Sequence, residues 1–230
     1  MTEETQSETV LEILSRFQKA GVLQRLILIG SWCLHFYRYG VRGLDGLRMS
    51  RTTDIDFLVP RPFHPGRKVD IPAILQELGF APTFHGQSGL AVYDHPELRL
   101  EFLIPELGKG SSGPVTIRDF HIKAQEIRYL NFLAAHPVKV EYQGLTVTVP
   151  EPAVFALHKL IVYSKRKKPE KREKDLAAAV GILEFLFKDP KEQERIKSVL
   201  KKLPPKWRKI ILSVSAKHFP ALNKYYEAHK

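Results

Sequence analysis

Cysteine is nearly absent: Cys33 stands alone among 230 residues, which excludes an internal disulfide and a cysteine-built zinc site. A lone thiol of this kind reads as a small buried hydrophobe. Long apolar runs are missing too, since no uninterrupted stretch approaches the ~20 residues that a membrane span needs. The opening MTEETQSETV has no apolar segment of the secretory kind. The expectation is a cytoplasmic protein without membrane contact. Nine histidines are present, yet none has metal-ligand spacing, and His158 beside Lys159 reads as structural. There is no internal repeat and no Gly/Ser linker. With 43% hydrophobic and 10% aromatic residues, the chain can still build a sizeable core.

Acidic residues are scarce in only one region. Residues 1–150 carry 16 Lys and Arg against 16 Asp and Glu, whereas 151–230 carry 20 against 9. The whole net charge of +11 therefore sits in the last third. Pro150 and Pro152 mark the change, because paired prolines break regular structure and position a helix start. Two domains are expected, 1–150 and a basic helical 151–230.

The first of these alternates helix and strand signals. SETVLEILSRFQKAG is an amphipathic helix with Val10, Leu11, Leu14 and Phe17 apolar, and LQRLILIG is a short strand. A second helix is entered through Gly30 and Ser31; serine is a favoured N-cap, and the free amides of a first turn attract anions. An ordinary capped helix has the same appearance. VDIPAILQELGF reads as a helix closed by Gly79, followed by strand-like runs around Gly86, Gly89 and the turn DHPE. The fold class is α/β: a mixed sheet flanked by helices, then a helical region.

Within that frame, RTTDIDFLVP places Asp54 and Asp56 two residues apart in an apolar strand, where i and i+2 side chains share a face. Two like charges crowded there favour a cation between them; capping the strand's exposed end is the bland alternative. LRLEFLIP adds Glu101 amid Leu100, Phe102, Leu103 and Ile104, and glutamate is rarely buried without a partner.

The order LILIGSW, RTTDIDFLV, LRLEFLIP resembles the nucleotidyltransferase superfamily of polymerase-β-like fold. The continuation through IKAQEIRYL, VTVPEPAVFALHKLIV and KREKDLAAA resembles a bacterial family of stand-alone nucleotidyltransferase-like proteins and, more distantly, abortive-infection type IV toxins. The resemblance implies a nucleotidyltransferase that uses Mg²⁺ or Mn²⁺ to move a nucleotide from an NTP to a hydroxyl on RNA, protein or a small molecule. Asp54, Asp56 and Glu101 would be its catalytic and metal-binding residues. Gly30 and Ser31 would hold phosphates. A lysine in an H-K-L context and an acid in a K-D-L segment map to Lys159 and Asp175 as further nucleotide-binding residues. Arg51, just before the acidic pair, is another candidate for phosphate. One departure is the longer spacing from Gly30-Ser31 to Asp54, with RGLDGLRMS inserted.

Each of the later residues also has a plain structural explanation. Arg51 is equally a surface residue, Lys159 a snorkelling one, and Asp175 the N-cap of a helix carrying Ala178, Ala179 and Ile182. KRKKPEKREK, residues 165–174, reads as a solvated loop; with KKLPPKWRKIILSVSAKHF it also makes the footprint of a phosphate-backbone binder, so RNA is a candidate partner. A non-catalytic nucleotide- or RNA-binding module and a toxin–antitoxin interaction protein stay open as alternatives. The oligomeric state is not legible.

Overall fold

Burial at Val10, Ile13, Leu14 and Phe17 follows the helical i, i+3, i+4, i+7 pattern, and it fixes helix α1 (Glu3–Lys19) as the cover of the sheet's apolar face. The structure, a computed structural model, describes residues 3–48, 52–64, 66–86, 89–108 and 113–229. It divides into two compact units. One comprises residues 1–36 and 51–150, the other 37–50 and 151–230.

In the first unit, β1 (Ile27–Ile29) leads through Gly30 and Ser31 into α2 (Trp32–Gly40). Strand β2 (Asp54–Leu58) pairs antiparallel with β1 and parallel with β5 (Arg99–Pro105). Between them come α3 (Ile71–Glu77), whose N-cap Asp70 accepts a bond from the Ala73 amide, and the hairpin of β3 (Ala81–His85) and β4 (Leu90–Asp94). β4 runs antiparallel to the start of β5; β7 (Ile122–Ile127) runs parallel to its end and carries β6 (Val115–Ile117) on its outer side. A short α4 (Leu130–Ala134) and a separate hairpin of β8 (Pro137–Tyr142) and β9 (Leu145–Pro150) complete the unit. The β8–β9 turn needs positive φ at Gln143 and Gly144, and it has it.

The sheet has one apolar face. Ile55 and Phe57 are fully enclosed, as are Leu100 and Phe102 on β5; Phe57 stacks on its register partner Phe102, and Phe17 of α1 lies 5.4 Å from Phe57. Cys33 is buried as expected, its Sγ donating to the Leu28 carbonyl.

The second unit is helical, and proline opens every one of its long helices: α5 (Pro152–Tyr163), α6 (Pro169–Leu186), α7 (Pro190–Lys202), α8 (Pro205–His218) and α9 (Pro220–Ala228). A first-turn proline costs no hydrogen bond and its fixed φ suits the helix. α5 is apolar nearly all round and forms the core, with α6, α7 and α8 packed on it. The described part of the inserted segment, residues 42–48, belongs with this unit. Its Leu44 and Leu47 are buried, a side chain at Gly46 would meet the Phe185 ring, and Leu47 lies against Gly181 of α6.

Two sequence expectations fail here. Residues 165–174 are not a loop throughout, because α6 starts at Pro169 in the middle of the basic run. Asp175 is consequently no N-cap but the seventh residue of α6, and buried; Lys168 is the N-cap residue.

Candidate active site

Three carboxylates come together through strand register. Asp56 is directly opposite Glu101 across the parallel β2–β5 pair, and Asp54 is two residues back on the same face. Adjoining strands lie about 4.8 Å apart and i, i+2 residues about 6–7 Å apart, so the three acids occupy neighbouring positions. They point away from the face that α1 covers, since their neighbours Ile55, Phe57, Leu100 and Phe102 fill that side. All three are half-buried. Among the described residues, neither Asp54 nor Glu101 has a hydrogen bond or ion pair to its carboxylate.

Gly30 completes the arrangement for a steric reason. Its φ of +75° is one that residues with a side chain avoid, and a Cβ placed on it would run into the Asp56 carboxylate. Asp56 faces Ile29 in the β1–β2 ladder, so the turn at Gly30-Ser31 and the acid are built side by side. Ser31 directly precedes α2, in the N-cap position.

Arg99 was missed from the sequence, although the period-two pattern R-x-E shows it. It faces Asp54 in register and shares the face of Glu101; its Nε donates to Asp94 at 2.7 Å. The Thr83 hydroxyl and then Arg99 hold the Asp94 carboxyl below its usual range.

Lys159 and Asp175 belong to the second unit and form one ion pair there. Lys159 Nζ lies 2.6 Å from Asp175 Oδ1, and Arg166 Nε donates to Oδ2 at 3.0 Å. Lys159 does not snorkel: its side chain is 13% exposed and that of Asp175 5%. Beside them His158 is buried, and among the described residues its ring nitrogens have no hydrogen-bond partner. Burial, reinforced by the Lys159 charge, lowers its pKa to about 3. Arg51 lies outside the described residues.

Residues 8–203 match the model of a family described as nucleotidyltransferase. The chain belongs to that family. It is therefore a transferase enzyme of the nucleotidyl class, and the fold and family read from its three motifs hold. Among solved structures, the antibiotic-resistance factor ANT(2″)-Ia in solution is similar at 12% identity and a TM-score of 0.46, covering 99% of this chain and 100% of that one. ANT(2″)-Ia in complex with adenylyl-2″-tobramycin is similar at 14% and 0.47, over 91% and 98%. An antigenic nucleotidyltransferase-like protein from Paracoccidioides brasiliensis gives 13% and 0.45, over 96% and 92%. No curated protein matches the chain. No helix among the described residues is long and apolar enough to cross a membrane.

The donor set on the sheet suits a hard divalent cation, because it consists of carboxylate oxygens alone. Among the described residues no three His, Cys, Asp or Glu side chains gather closely enough to hold a metal by themselves. Mg²⁺ does not require such a cage; it commonly takes one or two carboxylates and completes its shell with substrate phosphates and water.

Proposed function

We infer that the chain transfers a nucleotide from a divalent-metal NTP to an acceptor hydroxyl, with Asp54, Asp56 and Glu101 as the acidic centre. One observation carries this reading: the register that sets Asp56 opposite Glu101, with Asp54 beside it and the Gly30 turn pressed against Asp56. Grouped carboxylates repel, and among the described residues neither Asp54 nor Glu101 has a hydrogen bond or ion pair, the Arg99 charge acting on both without one. A cation and a triphosphate reverse that balance.

In this reading Asp54 and Asp56 hold Mg²⁺ or Mn²⁺. The ion supplies charge neutralisation for the triphosphate. Ser31 and the amides at the start of α2 bind phosphate oxygens. Glu101 accepts the proton of the acceptor hydroxyl as the new O–Pα bond forms and the bond to the leaving pyrophosphate breaks. Lys159 and Asp175 enter as a pair, each fixing the other, and the resemblance gives them a nucleotide-facing role. Arg51 is the remaining phosphate candidate.

The test is incubation of the full chain with each labelled NTP, Mg²⁺ or Mn²⁺ and cell extract, sorted into RNA, protein and small-molecule fractions. Label should appear in one fraction, with pyrophosphate in equal amount. Absence of transferred label with all four NTPs and both metals contradicts the reading.

A further inference from the structure

The exposed basic residues of the second unit are densest around the start of α6. α7 follows the ordinary rules of helix electrostatics: its N-cap Asp189 accepts a bond from the Lys191 amide, Glu192 is in the first turn, and Lys201 and Lys202 are in the last. α6 differs. Its N-cap is Lys168 with no side-chain cap, its last turn has no basic residue, and Lys165, Arg166, Lys167, Lys168, Lys171 and Arg172 crowd its positive end. Residues 164–173 are all exposed. Arg166 is held by Asp175 and Arg172 donates to the Tyr163 hydroxyl at 3.0 Å, but Lys165, Lys167, Lys168 and Lys171 have no hydrogen bond or ion pair among the described residues.

A second stretch of chain is fastened to the same place. Tyr163 Oη lies 3.2 Å from His218 Nε2, and the Arg172 guanidinium sits 4.3 Å over the Tyr163 ring. The last turn of α8, with Lys217 and His218, is thereby tied to the α5–α6 turn. The start of α6 already favours anions, and mutual repulsion among its exposed lysines is a cost that a polyanion would offset.

We propose that this surface, the α5–α6 turn with the ends of α6 and α8 that meet it, docks the phosphate backbone of RNA. A lipid surface is the poorer fit, because interfacial binding needs exposed apolar side chains. The exposed large hydrophobics among the described residues are Tyr39, Phe84, Leu107 and Ile127, and the patch contains none of them. RNA also offers a hydroxyl on every nucleotide. That the docked RNA is the acceptor rests on the transferase reading above; the docking itself does not.

The experiment uses the full chain, a labelled single-stranded RNA of mixed sequence and fluorescence anisotropy across a salt series. Each phosphate contact contributes a slope of about 0.7 in log affinity against log salt for single strands. Replacing Lys165, Lys167, Lys168 and Lys171 together with alanine should weaken binding on the order of 100-fold at 0.15 M salt and flatten the slope by about 2.8. A control variant removes the same charge elsewhere on the unit, at Lys191, Lys202, Lys206 and Lys209, and should lose less than about tenfold. Equal losses in the two variants, no loss in the first, or wild-type binding to anionic vesicles tighter than to RNA would overturn the proposal. The response of the melting temperature to metal-NTP is measured in parallel. The quadruple variant should keep it, so loss of the transferase reading and loss of the docking surface are told apart.

Discussion

The protein holds two groups of acidic side chains in opposite conditions. On the sheet of the first unit, Asp54 and Glu101 are half-buried and, among the described residues, neither carboxylate has a hydrogen bond or ion pair, although the Arg99 charge attracts both. In the helical unit, Asp175 is enclosed and held by both Lys159 and Arg166, and Glu151 is gripped by two bonds from Arg195 at 2.7 and 2.6 Å. The first unit also pairs Glu126 with Arg61 and Asp119 with Arg25, so the acids on the β2–β5 face stand apart from the others within their own unit; in the reading proposed above that face takes a ligand, whereas the paired acids serve stability. Substitutions in the first group should change chemistry with little effect on stability. Those in the second should cost stability, and at the Lys159–Asp175 pair nucleotide binding with it.

The sharpest break in that comparison comes from Glu101→Gln. If Glu101 takes the acceptor's proton, turnover should fall by about 100-fold or more while NTP affinity stays within a few-fold, measured as kcat against a separately determined Kd. A glutamate that only satisfies the fold would show lost stability and unchanged turnover. Asp175→Ala should act first on stability. It leaves Lys159 enclosed without its partner, a loss of about 3 kcal/mol, and the melting temperature should drop by roughly 6–12 °C.

His158 gives the helical unit a dependence on pH of its own. Its folded pKa of about 3 lies below the ordinary 6.5, so the unfolded chain takes up a proton that the folded chain refuses. Stability from this group is complete above pH 6.5 and is lost as pH falls, by up to about 1.4 kcal/mol per unit. Urea unfolding at pH 7 and pH 5 should show the wild type losing about 2 kcal/mol more than His158→Leu. Equal losses would mean that the imidazole titrates freely.

The smallest expected change is at the point where sheet and turn meet. Gly30→Ala forces a left-handed backbone onto alanine at about 1–2 kcal/mol and pushes a methyl group at Asp56. A fall of a few degrees in melting temperature, with a weaker response to metal-NTP, is the expected result; an unchanged response would separate Gly30 from the acidic centre.

Much of this was legible in the residues because it depends on short-range rules. The period-two pattern of DIDFL and LRLEFLI fixes which face the acids take, and the Gly-Ser turn follows from glycine's backbone freedom. Register between β2 and β5 was not legible, since it joins residues 45 apart through a parallel crossover; only the structure places Asp56 opposite Glu101. The basic run misled for a different reason. Charge density suggested a loop, yet Pro169 within it is a helix-opening signal, and α6 grows from that point and carries Asp175 inside. The partner of Lys159 was hidden for the same reason: helices, not sequence proximity, bring residues 159, 166 and 175 together.

The measurement closest to the central claim is the melting temperature with and without Mg²⁺ and an NTP, for the wild type and for Asp54→Asn with Asp56→Asn. A ligand bound only by the folded state stabilises it by about 2.7 kcal/mol at a hundredfold excess over Kd. The wild type should therefore melt several degrees higher with metal-NTP than without. The double variant should show no rise, while its ligand-free melting temperature equals or exceeds that of the wild type through relief of like-charge repulsion. A double variant that gains as much from metal-NTP as the wild type would show that the carboxylate face of the sheet is not the nucleotide site.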